Sequence, residues 1–356
     1  MKGWRVLPCG SGSKLSWGGI GKEVDLLVST ERLNRVIEHA VGDLTVTLEA
    51  GVKFADLQEI LLKTNQFLPL EPAYPQDATI GGMIATADSG SLRQRYGGVR
   101  DMLLGISLVR SDGQIAKAGG RVVKNVAGYD LMKLFTGSYG TLGILTEVTL
   151  RLYPVTEASG SVVLTGDVEA IASATKTLLA SSLTPTAIDL LSTQLVTQMN
   201  LGKGMGLIVR FQSITEAVKQ QCSRLLEIGQ KLGLQGNLYE DSDESTLWQL
   251  LPEQIWSGPQ KPGIVCKIGV VPNAAASTLT HLETLTSSTI FGLIHAGSGL
   301  GLLRFDAETV TAEIISKMRS YCQDHKGFLT VLEAPIALKQ KLDVWGYNGN
   351  ALKIMR

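Results

Sequence analysis

Two short stretches decide how this chain folds: Pro8-Cys-Gly-Ser-Gly-Ser-Lys-Leu15 and Ala78-Thr-Ile-Gly-Gly-Met-Ile-Ala-Thr86. In the first, consecutive small residues allow the nest conformations that turn several backbone N–H groups toward one anion. In the second, Ile80-Gly-Gly-Met83 lets main chain lie against a flat ligand with no Cβ in the way. Two more glycine loops follow, Gly119-Gly-Arg-Val-Val-Lys-Asn-Val-Ala-Gly-Tyr-Asp-Leu131 and Gly140-Thr-Leu-Gly-Ile-Leu-Thr-Glu147. Any one of them alone reads as a turn. Together, in this order and beside strands, they read as a binding domain. The standard nucleotide fingerprints do not fit. A G-x-G-x-x-G run from Gly10 needs glycine where Leu15 stands, and G-K-[ST] fails at Gly21-Lys22-Glu23 and Gly202-Lys203-Gly204, so a Rossmann dehydrogenase is disfavoured.

Working outward, the 356 residues set a prior of about two domains. That length buries a core without help from disulfides or metals. Lys+Arg (33) balances Asp+Glu (33), which argues against a nucleic-acid partner, because phosphate neutralisation needs a basic surplus. With 44% hydrophobic residues the chain is not disordered. Glycine at 39 against 11 prolines points to tight turns and close backbone approaches. The first residues show no signal peptide. The most apolar stretch, 289–305, is broken by His295 and glycines and is too poor for a membrane span. Cys9, Cys222, Cys266 and Cys322 lie far apart with no C-x-x-C, so neither a disulfide framework nor a metal cluster is read, and free thiols in the cytoplasm are expected.

Residues 1–154 are dense in short strands. A strand begins at Arg5-Val-Leu, and the apolar run 24–29 predicts a buried strand. Residues 36–50 form a hairpin around Val41-Gly-Asp43, and 106–118 another around Ser111-Asp-Gly113. Phe54, Leu57, Ile60 and Leu61 share one face of a helix, and 144–153 alternates as a strand up to Pro154. Beyond Pro154, strands at 161–164, 206–211, 264–271 and 289–293 are separated by helices at 168–181, 214–232 and 307–325. That grain predicts an α+β second domain. The acidic run 239–245 reads as a solvated loop or helix start.

The four loops resemble the flavin-binding domain of the vanillyl-alcohol-oxidase-type (PCMH-type) flavoproteins. Lys124-Asn-Val-Ala-Gly-Tyr-Asp-Leu131 and Leu92-Arg-Gln-Arg-Tyr-Gly97 look like the glycolate oxidase E-subunit family. The resemblance is most specific over residues 4–154. It implies an α+β fold with three parts: a PCMH-type FAD-binding domain at 1–154, a cap domain with antiparallel sheet and helices at 155–340, and a segment at 341–356 that starts back toward the flavin domain. It implies FAD contacts at Gly10, Ser11, Gly12, Ser13, Thr79, Ile80, Gly81, Gly82, Gly140, Gly143 and Ile144. Relatives that bind FAD covalently have His where Ser13 stands, so a non-covalent flavin is implied. Relatives also begin with a strand and helix before the first glycine loop and end in an Asn-Pro-Gly-type tail. Their lack here implies truncated ends or a pocket built with less, and weak FAD retention.

Oxidising a 2-hydroxy acid needs a cation for the carboxylate and a base for the hydroxyl proton. Arg93 and Arg95, with Arg100, can hold a carboxylate bidentately, or can instead pair with Asp101 or Asp88. Lys124 and Tyr129 are placed near the flavin by the resemblance, and a core hydroxyl is an equal reading of Tyr129. The His-x-Gly-Asp-Gly-Asn-x-His motif of the related D-subunits and D-lactate-type dehydrogenases falls on His295-Ala-Gly-Ser-Gly-Leu-Gly-Leu302, where Ser298, Leu300 and Leu302 replace Asp, Asn and the second His. Leucine neither coordinates nor accepts a proton, so no metal is expected and His295 reads first as a histidine in a glycine turn. Thr330-Val-Leu-Glu-Ala-Pro335 stands where a Glu-His-Gly is expected. The resemblance then implies a glycolate dehydrogenase complex with a D-type flavin subunit and an iron–sulfur F-type subunit, cytoplasmic or held peripherally at the inner membrane by those partners. A self-sufficient 2-hydroxy-acid dehydrogenase and a flavin-idle assembly subunit are the alternatives.

Overall fold

A computed structural model describes residues 3–21, 23–121, 129–257, 263–286 and 288–346. The chain divides into two compact units, Met1–Leu15 with Gly21–Val155 and Ser16–Ile20 with Thr156–Arg356.

The first unit begins with a parallel pair, β1 (Val6–Cys9) and β2 (Leu26–Ser29). The run at 24–29 does form a strand, but it is not buried: Leu26 and Leu27 are 39% and 56% exposed, because only β1 pairs with it. The main sheet is antiparallel, with β3 (Val36–Ala40), β4 (Thr45–Glu49), β6 (Leu103–Val109), β7 (Ile115–Gly119) and β8 (Ile144–Arg151) in the order β3-β4-β8-β6-β7. Leu44 at φ +53 turns β3 into β4. A minor ladder joins β5 (Gln66–Phe67) to β9 (Tyr153–Pro154). Helix α1 (Phe54–Leu62) buries Phe54, Leu57 and Leu61 but leaves Ile60 half-exposed. The short helices α2 (Ile80–Thr86), α3 (Arg93–Tyr96), α4 (Val99–Met102) and α5 (Leu131–Phe135) complete the unit. Ile80, Met83 and Ile84 of α2 join Val46, Leu48, Ile106 and Val148 in one core, where each fully buried side chain is worth about 1.5–3 kcal/mol.

The second unit is an eight-stranded antiparallel sheet of β10 (Ala158–Gly166), β11 (Ala187–Leu191), β12 (Met205–Ser213), β13 (Gln235–Glu240), β14 (Gly263–Gly269), β15 (Ile290–His295), β16 (Leu300–Asp306) and β17 (Phe328–Glu333). Their spatial order is β13-β10-β12-β11-β15-β16-β14-β17. Helices α6 (Val168–Leu179), α8 (Thr215–Lys231), α10 (Ala275–Thr284) and α11 (Ala312–Asp324) share a core with Val162, Leu164, Leu207 and Val209. The alternate strand residues Val163, Ile208, Val265 and Leu293 pack instead with α7 (Thr193–Gln198) and α9 (Asp241–Trp256). Covering both faces explains why these antiparallel strands read as continuous apolar runs rather than alternating ones. The short helix α12 (Ile336–Lys339) follows β17.

Two expectations fail in this unit. The acidic run is not simply a solvated face. Glu244 on α9 is only 2% exposed, and its carboxylate lies 2.7 Å from Arg210 Nε on β12 while accepting from the Ser161 and Ser159 hydroxyls at 3.0 and 2.9 Å. The Trp248 indole donates to Ser161 Oγ at 2.8 Å and lies under the Arg210 guanidinium. The stretch after Leu15 also departs from the flavin half, because Ser16–Ile20 belongs with the second unit. Trp17 stacks on Trp256 at 5.1 Å and donates through Nε1 to Glu333 at 2.9 Å. Gly18 N–H donates to Leu332 O, and Lys339 Nζ donates to the carbonyls of Ser16 and Gly18.

Candidate functional site

In the first unit the structure brings three of the four glycine loops together. Gly10 lies on Thr79, where a Cβ would stand 2.2 Å from Thr79 Oγ1. Thr79 caps α2 by accepting from Gly82 N at 3.3 Å, and Gly81 N donates to Ala50 O at 2.7 Å. The fourth loop hangs from the far end of the same helix, through Gly137 N to Ile84 O and Tyr139 N to Ala85 O. Gly140, at φ +73, closes against Pro8 with room for no side chain, since a Cβ would meet Pro8 Cγ at 2.9 Å.

Within this cluster the amides of Gly10, Ser11, Gly12 and Ser13 donate to no acceptor among the described residues. Four successive N–H groups without partners are costly unless water or a ligand accepts from them. An anionic dinucleotide fits this donor set. Ile80, by contrast, is 1% exposed and donates to Val52 O, which makes it part of the core beneath the loops. Gly143 and Ile144 sit where β8 meets Val109 of β6. The third loop is followed only to Arg121, so Lys124 lies outside the described residues.

The expected arginine cluster separates into different roles. Arg100 is paired with Asp130, whose carboxyl it holds below the usual range. Asp88 is taken by Lys14 at 2.7 Å and by Ala73 N at 2.8 Å, and Asp101 accepts from Gly98 N at 2.8 Å. Arg95 is exposed. Arg93 is partly buried with no ion pair among the described residues, and burial lowers its guanidinium pKa against the opposing field of Asp101. Tyr129 is 92% exposed, so it is not a core hydroxyl.

In the second unit His295 ends β15, and its Nδ1 lies 2.6 Å from Oδ1 of Asp189 on β11, a residue with no exposed surface. The carboxylate can only accept, so Nδ1 carries the proton between them and the ring is held in one orientation. His295 is therefore more than a histidine in a glycine turn. Its partner gave no sequence signal, because the two residues are 106 apart and meet only through the β11–β15 pairing, Asp189 opposite His295. Leu302 packs partly buried beside the α7–α9 core, and Glu333 serves Trp17. Among the described residues no group of three or more His, Cys, Asp or Glu side chains is placed to hold a metal ion. All four cysteines are free.

Residues 1–119 match the family model described as an FAD binding domain. The amino-terminal unit carries an FAD-binding domain. The chain is 35% identical over 188 residues to glycolate oxidase subunit GlcD of Bacillus subtilis (strain 168), covering 52% of this chain and 40% of that protein. It is 30% identical over 312 residues to the mitochondrial cytochrome D-lactate dehydrogenase of Arabidopsis thaliana, covering 83% of this chain and 54% of that one. It is 39% identical over 125 residues to glycolate oxidase subunit GlcE of Escherichia coli (strain K12), covering 35% of this chain and 36% of that one. The chain thus spans about half or less of the curated relatives it matches. A solved alkyldihydroxyacetonephosphate synthase structure superposes with a TM-score of 0.68 at 17% identity, over 91% of this chain and 67% of that one, a likeness of fold. The α+β architecture and FAD as cofactor agree with the sequence reading. Among the described residues no helix is long and apolar enough to cross a membrane.

Proposed function

We propose that this chain is the E-type FAD subunit of a glycolate-oxidising complex, with residues 1–154 as its flavin domain and 155–340 as its cap. The observation that carries the reading is the row of unpartnered amides at Gly10–Ser13, held against Thr79 inside the matched FAD-binding region. When bound, FAD supplies the two-electron acceptor for converting glycolate to glyoxylate. The amides of Gly10, Ser11, Gly12 and Ser13 would bind its pyrophosphate, with Gly82 beside them at Thr79, Gly81 letting α2 close on Ala50, and Gly140, Gly143 and Ile144 bounding the adenine end. With Ser in place of a histidine at position 13, the flavin is held without a covalent bond. Arg93, partly buried and unpaired among the described residues, is better suited than exposed Arg95 to hold a substrate carboxylate.

Electrons leaving the flavin need another protein or a diffusible acceptor, and a D-type flavin subunit with an iron–sulfur subunit fits that need, at the inner membrane or in the cytoplasm. Co-expression with those subunits, followed by flavin and iron counts and glycolate-dependent dye reduction, tests the assignment. Co-purification with activity only in the assembly is expected. A chain that purifies alone and adds nothing to partner activity overturns it.

A second reading, a self-sufficient 2-hydroxy-acid dehydrogenase, is favoured by the Asp189–His295 pair. An imidazole held in one orientation by a buried carboxylate is the kind of group that passes a proton. Dye reduction with glycolate or D-lactate by this chain alone, lost in His295→Gln, selects this reading over the first.

A further inference from the structure

Lys14 follows the unpartnered amides directly and is the one charged side chain in the stretch 8–15. It is not a solvated surface lysine. Its side chain is 7% exposed, and Nζ forms an ion pair with Asp88 Oδ2 at 2.7 Å. Asp88 is 11% exposed and is itself fixed, accepting from Ala73 N at 2.8 Å. Desolvating two charges in this way is a poor route to stability, since apolar side chains of similar volume serve as well or better. What the pair provides is placement. Asp88 lies just past the C-terminal end of α2, while Thr79 at the other end of α2 touches Gly10. The glycine loop is thus tied to the two ends of one helix, at its first free amide and just after its last.

We propose that Lys14 and Asp88 are positioning residues for the dinucleotide: their ion pair holds the Gly10–Ser13 amides in the conformation that accepts the pyrophosphate, so that it sets the affinity for FAD and not for flavins without a pyrophosphate. The inference rests on the FAD reading of this loop. It makes an unusual demand on Asp88. A carboxylate near a pyrophosphate should repel it, and removing the charge should tighten binding. If Asp88 anchors the loop, removing it weakens binding.

The test is titration of the deflavinated full-length chain with FAD and with riboflavin, followed by flavin fluorescence. Lys14→Met and Asp88→Asn each weaken FAD about tenfold or more, the loss expected when a charge-assisted contact no longer orders the loop. Riboflavin affinity stays within about twofold, and Lys14→Arg recovers most of the FAD affinity. Because a lone buried charge can harm the fold, the Lys14→Met/Asp88→Asn double variant is measured as well. It should unfold at the wild-type temperature and still bind FAD weakly. Asp88→Asn binding FAD as tightly as wild type or more tightly, equal loss of FAD and riboflavin, or a double variant with wild-type FAD affinity each overturn the proposal. Wild-type apoprotein that takes up no FAD overturns the cofactor reading beneath it, a distinct result.

Discussion

At Gly10 a single methyl group decides whether two loops can meet, because its carbon would stand 2.2 Å from Thr79 Oγ1. Gly10→Ala is expected to lower FAD affinity about tenfold or more by pushing the free amides off Thr79, with little change in the unfolding midpoint. Flavin titration beside a thermal melt checks both halves of that statement. The thiols give a second residue-scale prediction. Burial pushes Cys222 up to about 11 and Cys266 and Cys322 up to about 12, from an ordinary value of 9.0. Folded pKa values above the unfolded ones mean that the unfolded chain loses protons first as pH rises. The stabilising contribution is therefore intact below pH 9.0 and is lost progressively toward pH 11–12. Urea unfolding at a series of pH values should show stability falling above pH 9.0, with a flatter slope in Cys222→Ala/Cys266→Ala/Cys322→Ala. Much of this scale was legible in the sequence. Gly10 and Gly140 announce close backbone approach by their residue type, and Thr79 before Ile80-Gly-Gly reads as a helix cap. Asp88 and Asp189 carry no such mark, because an isolated carboxylate has a partner only once distant segments pair.

At the scale of the element, the strands were readable where apolar runs were long, and the hairpins at Val41–Asp43 and Ser111–Gly113 announced themselves through turn chemistry. Helix α9 shows why the rest was not. Its first turn holds Asp241, Asp243 and Glu244, a pattern that sequence reasoning assigns to water. Yet Glu244 faces Arg210, 34 residues earlier on β12, and Trp248 one turn later completes the same buried network. Charge pattern reports composition along the chain, whereas burial follows from the face that a sheet presents to the helix. Arg210→Met leaves the Glu244 carboxylate buried without its cation and should cost roughly 3–5 kcal/mol. Arg210→Met/Glu244→Leu should recover much of that loss. Denaturant unfolding of both single variants and the double closes the cycle, and additive losses would mean that the pair does not act together.

For the molecule as a whole, the order of residues along the chain is not the order of its compact units. Pro154 marks a change of grain in the sequence, but Ser16–Ile20 packs with residues that come more than 200 positions later. Lys339 is 9% exposed, and burial lowers its pKa against the opposing charge of Glu333. Its ammonium is served by main-chain carbonyls, two of which, from Ser16 and Gly18, come from this short segment. Trp345 closes on Gly18, where a Cβ would meet its ring at 2.4 Å, and Trp17 covers Trp256. A fragment cut at residue 155 keeps Lys339, Glu333 and Trp256 but loses what they hold. Losing at least two hydrogen bonds to a buried ammonium, with a stacked indole, should cost about 3 kcal/mol or more. For a unit of about 200 residues that lowers the melting temperature by roughly 6–12 °C. Calorimetry of a 156–356 fragment with and without residues 16–20 joined through a flexible linker measures this directly. Equal melting temperatures would mean that the segment rests on the second unit without stabilising it. A recovery of several degrees would mean that the residues just after the flavin loop are a structural part of the cap.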